Sequence, residues 1–85
     1  MKLLCNLNLF ALEQTIYAID DAGTVNPVAA IELEQLPEIM TALIGEYHAT
    51  NVVLSGSGSY ASTMAEEIKN WNASHYNHQV EIEVI

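Results

Sequence analysis

Apolar and polar positions alternate from the first residues. Over 2–10, Leu3, Cys5, Leu7 and Leu9 fall on one side, and Leu4, Asn6, Asn8 and Phe10 on the other. Period two with apolar content on both sides predicts a strand near the centre of a sheet. Residues 15–20 (Thr-Ile-Tyr-Ala-Ile-Asp) are β-branched or aromatic, and Asp20-Asp-Ala-Gly-Thr24 after them is turn chemistry, so the two strands should form a hairpin. Pro27 introduces a third strand over 28–33, with Ala29, Ile31 and Leu33 on one face. A helix from Val28 competes with it, because Ala-Ala-Ile-Glu-Leu-Glu-Gln is good helix material. The period then lengthens. Leu36, Ile39, Met40, Leu43, Ile44 and Tyr47 make one helical stripe, with Pro37 in its first turn. Asn51–Leu54 reads as a strand. A second helix carries Ala61, Met64, Ala65, Ile68 and Trp71, with Thr63 and Glu66 at capping-box spacing if it starts late. Val80, Ile82 and Val84 alternate with Glu81 and Glu83 in a closing strand, whose acids face solvent and discourage edge pairing.

The order is β-β-β-α-β-α-β, or one strand fewer: a single small α/β domain over residues 1–85 with a mixed sheet. Three antiparallel strands followed by two αβ units is the layout of the ribonuclease H-like fold. The chain further resembles a shortened member of the YqgF-type family of Holliday-junction resolvases. The likeness is carried by a Met-basic-apolar first strand and the Asp-rich turn Ile19-Asp-Asp-Ala-Gly23. It extends to the Leu-Pro-Glu-Ile helix opening (36–39), the Val-Val-x-x-Gly strand-to-turn (52–56) and the Val-x-Ile-x-Val strand (80–84). Each motif is generic. The resemblance implies a nuclease scaffold in which acidic side chains hold two divalent cations, the first acid standing on the opening strand. Metal-assisted cleavage needs such charged oxygens. Here that strand carries Asn6 and Asn8, Asp20 and Asp21 lie at a turn, and the acid that the family places after its last strand is expected to be lost. The expectation is a resolvase-like scaffold without its catalytic acids.

Composition sharpens that expectation. Half of the residues are apolar and 15% are charged. A chain of this size buries only roughly 60–65% of its unfolded surface. So much apolar content predicts that a partner or a second copy covers part of it, a homodimer being the simplest form. Two lysines stand against eleven acids, a formal charge of −9. Direct nucleic-acid binding is disfavoured, since phosphates need cations to neutralise them. The acidity keeps the protein soluble, or it serves an acidic mimic of nucleic acid on a basic surface. Cys5 alone makes no internal disulfide and reads as a small core hydrophobe. Without a convincing signal peptide or membrane span, the expected location is the cytoplasm.

Two constellations invite chemistry. Ser55-Gly56-Ser57-Gly58-Ser59 presents amides and hydroxyls ahead of a helix, a candidate anion or nucleotide site in a degenerate phosphodiesterase. It is neither a P-loop nor a dinucleotide fingerprint, and a plain connecting turn explains it. His48, His75 and His78 could ligate a metal but have neither cysteine nor carboxylate close by, so a solvated polar loop over 75–78 is the simpler reading. No cofactor is implied. Trp71 and Tyr76 either close the second helix against the sheet or anchor an interface.

Overall fold

A computed structural model of the chain describes residues 1–56 and 58–85. Its elements are β1 (Lys2–Asn6), β2 (Gln14–Ile19), β3 (Val25–Ile31), a short 3-10 turn (Leu33–Gln35), α1 (Leu36–Tyr47), β4 (Asn51–Ser55), α2 (Ser59–His75) and β5 (Glu81–Val84). They build one five-stranded sheet in the order β3-β2-β1-β4-β5, with β1 central as its two-sided apolar pattern predicts. β1, β2 and β3 are antiparallel neighbours, while β4 runs parallel to β1 and β5 parallel to β4. That order and sense are those of the ribonuclease H-like fold.

One core joins the sheet to both helices. Leu3 and Cys5 of β1, Ile16 and Ala18 of β2, and Val52 and Leu54 of β4 meet Leu36, Met40 and Ile44 of α1 and Ala61, Met64 and Ile68 of α2. Alternate strand residues thus fill the space under the helices, each large one contributing about 1.5–3 kcal/mol by leaving water. The positions between them, including Leu4, Tyr17, Ile19 and Val53, form the opposite face, and among the described residues no helix covers it. Burial pushes the Cys5 thiol up to about 11, so it stays neutral and packs as a hydrophobe.

Several boundaries differ from the sequence reading for identifiable reasons. β1 ends at Asn6 rather than near residue 10, because the Gln14 side chain turns the chain at Asn8. The third strand starts earlier, at Val25, and accommodates Pro27 opposite Tyr17 beside a register shift; it is an edge strand, where a missing donor is tolerated. Helix propensity from Val28 onward loses to this pairing, and helical turns begin only at Leu33, after the Gln35 side chain accepts from the Glu32 N–H at 3.1 Å. α2 begins at Ser59, which leaves Thr63 inside the helix; its hydroxyl donates to Ser59 O, and the Thr63/Glu66 capping box does not form.

His75, Tyr76 and Asn77 are exposed, as the composition of this segment suggests, but His78 turns inward. Buried Asn72 donates to His78 O (3.0 Å) and accepts from His78 N (2.9 Å), so one carboxamide pairs with both backbone groups of one residue. The His78 ring is thereby pressed against α1, where a Cβ on Gly45 would stand only 3.0 Å from it. Asn72 takes the inward position expected for Trp71, which is half-buried and stacks on His75. Tyr76 is largely exposed and stacks on His78 instead of closing the helix onto the sheet.

Candidate functional site

The carboxyl ends of β1 and β4 lie side by side, the place where open α/β sheets hold ligands. Here Ser55 Oγ donates to Asn6 Oδ1 at 3.1 Å, and Ser55 O accepts from Leu7 N at 2.7 Å. Gly56 follows with φ +79°, and a Cβ there would collide with Leu7 O and Asn6 Oδ1. Close approach of two backbones therefore explains this glycine without a ligand. Gly58 is the N-cap of α2 with φ 55° and no side-chain cap, and Ser59 opens the helix. Ser57 lies outside the described residues. Of the proposed anion-binding run, Ser55 is thus engaged with the opening strand, while Gly56 shapes the turn.

The residues between β1 and β2 form the least expected part of this end. Gln14 is 2% exposed. Its Oε1 accepts from Asn8 N at 2.8 Å and its Nε2 donates to Asn8 O at 2.8 Å. Asn8 Oδ1 in turn accepts from Phe10 N at 3.0 Å, and Asn8 O also accepts from Ala11 N at 3.1 Å. With both backbone groups of Asn8 satisfied by one buried amide, the loop has a defined path. That path turns large apolar side chains outward: Phe10 is 99% exposed, Leu12 92% and Leu9 49%. Beside them, Leu12, Glu13, Glu32, Leu33, Glu34 and Tyr60 line an open groove between the loop, the 3-10 turn and the first turn of α2. The groove mixes apolar surface with three exposed carboxylates.

The other candidate residues are scattered. Asp20 and Asp21 follow β2 at the opposite end of the sheet from Asn6, since Ile19 pairs with Lys2. Asp20 Oδ1 accepts from Ala22 N (3.0 Å) and Thr24 N (2.9 Å), and Asp21 lies 3.5 Å from the N-terminal amine. His48 ends α1 in a left-handed conformation, His75 contacts Trp71 O through Nδ1 at 3.1 Å, and His78 is held by Asn72. Among the described residues no three His, Cys, Asp or Glu side chains gather as a metal-holding group, and no helix is long and apolar enough to cross a membrane.

Sequence reasoning missed Gln14 and the apolar loop. A signal was available: Leu9-Phe-Ala-Leu12 sits where a hairpin connection should carry Gly, Asn, Asp or Pro.

No family model matches the chain, and no curated protein does. Among solved structures, the Holliday junction resolvase of fowlpox virus aligns with 98% of this chain at 17% identity and a TM-score of 0.48. The chain spans 60% of the length of that resolvase. At this distance the alignment carries nothing about activity, and strand order and sense alone identify the fold as ribonuclease H-like.

Proposed function

We propose that this chain is a non-catalytic ribonuclease H-like module that works through protein association, either as a homo-oligomer or as a subunit of a larger assembly. One observation carries this reading: Phe10 and Leu12 stand almost wholly in water on a loop whose path a buried amide fixes. Exposed aromatic and aliphatic anchors on a preformed loop are the usual makings of an interface hot spot, because little ordering entropy remains to be lost on binding. The absence of catalysis is supported by the neutral Asn6–Ser55 pair, which joins the two strands where the resemblance would place a charged cation ligand. Neutral oxygens neither neutralise a metal's charge nor lower the pKa of its water enough to attack a phosphodiester.

Two experiments test the two halves. With Phe10 replaced in the cell by photoreactive benzoylphenylalanine, illumination should give covalent protein adducts, whereas the same group at Ala22 should give none. A position-10 probe that crosslinks to nothing would remove the association reading. A four-way DNA junction should remain intact with the protein in Mg²⁺ or Mn²⁺; metal-dependent cleavage that Glu32→Gln abolishes would restore an enzyme.

A further inference from the structure

We propose that the loop-and-groove end of the sheet receives a basic amphipathic segment of a different protein, its apolar side chains over Leu9, Phe10 and Leu12 and its Lys or Arg residues against Glu13, Glu32 and Glu34. This rests on the association reading above and names the chemistry of the partner.

Charge complementarity selects the occupant. The groove offers Leu12, Leu33 and Tyr60 as apolar wall and three exposed carboxylates as rim. A second copy fits it poorly. A two-fold contact through this end sets Glu13, Glu32 and Glu34 against their own equivalents, and like charges brought together across an interface cost several kcal/mol. Neither of the chain's two lysines can relieve that repulsion. Lys2 opens β1, roughly 13 Å from the Asn6 end at 3.3 Å per residue. Lys69 lies roughly 15 Å along α2 from Ser59 at 1.5 Å per residue, and its ammonium sits 3.5 Å from Glu66. The N-terminal amine is at the far end of the sheet with Asp21. Nucleic acid is refused by the same carboxylates. A segment with cations on one face and apolar residues on the other answers both features of the surface. It resembles the amphipathic helices that lay an apolar face into a groove, with the basic flank setting encounter rate and salt dependence.

The probe is a fluorescein-labelled 14-residue Leu/Lys amphipathic peptide, compared with its Leu/Glu counterpart and with a Lys/Ser peptide of equal charge. Affinities come from anisotropy and the location from backbone amide shifts. The Leu/Lys peptide should bind at least about tenfold tighter than either control, about 1.4 kcal/mol. Its shifts should centre on Phe10, Leu12, residues 32–34 and Tyr60, and leave Asp20–Thr24 unmoved. Phe10→Ser with Leu12→Ser should weaken it about tenfold or more. Glu13→Gln, Glu32→Gln and Glu34→Gln together should weaken it and flatten its salt dependence. Equal binding of the Lys/Ser or Leu/Glu peptide, or shifts centred on the bare sheet face, would overturn the proposal. So would a wild-type dimer in sedimentation that Phe10→Ser with Leu12→Ser converts to monomer, since a second copy would then own the groove. Failure here alongside protein adducts at position 10 would leave the association reading standing with a different partner chemistry; failure of both would end both.

Discussion

β2 is entered and left by two connections built with the same device and dressed in opposite ways. In each, one side-chain oxygen accepts main-chain N–H groups and closes the turn: Asn8 Oδ1 from Phe10, and Asp20 Oδ1 from Ala22 and Thr24. The turn over 20–24 then exposes Asp, Ala and Gly, as a connection with no other task should. The loop over 7–13 is also anchored from beneath by Gln14, yet it exposes Leu9, Phe10 and Leu12. Closing a hairpin does not require those side chains. The difference marks the first loop as a surface that folding alone leaves unexplained.

The comparison can be pressed at matched positions. Gly56, in the β4–α2 connection against Leu7 at the start of the long loop, and Gly23, in the short turn, both have positive φ. Only Gly56 has backbone in the way of a Cβ, whereas nothing lies within 4 Å at Gly23. Gly56→Ala should therefore cost about 3 kcal/mol, from left-handed strain plus the clash, and Gly23→Ala about 1 kcal/mol from strain alone, both read from guanidinium unfolding. Equal losses would mean that Leu7 moves freely away from β4.

The anchors differ next. Gln14→Ala should cost about 2 kcal/mol, because it strands the Asn8 N–H in a partly buried place. It should also speed hydrogen exchange at Asn8 and Phe10. Asp20→Ala removes an exposed acceptor that water can replace, so a loss of about 0.5–1 kcal/mol is expected. If the two variants lose the same stability, the long loop is no better fixed than the short turn.

Element order was legible in the sequence because periods of two and 3.6 do not mimic each other over the lengths involved. The stripe Leu36, Met40, Leu43 and Ile44, the central place of the first strand and the burial of Cys5 all follow from that patterning. What stayed hidden depends on carboxamides. Gln14 and Asn72 have polar side chains that a pattern assigns to the surface, yet each is buried because it pairs with both backbone groups of one residue, Asn8 or His78. Such pairings obey no period. The loop end and the inward turn of His78 escaped for that reason. At the site, the Ser-Gly run was conspicuous by composition, but the glycine that matters serves backbone contact with Leu7. The apolar loop looked like the continuation of a strand, because Leu7 and Leu9 keep the alternation going past Asn6.

The most direct measurement is the unfolding free energy of the Phe10→Ser, Leu12→Ser double variant against the wild type. Two side chains that stand in water in the folded protein have no native packing to lose, so the variant should keep its stability to within about 0.5 kcal/mol. A loss of about 2 kcal/mol or more would show that these residues belong to the core of this chain, and the docking surface would not exist.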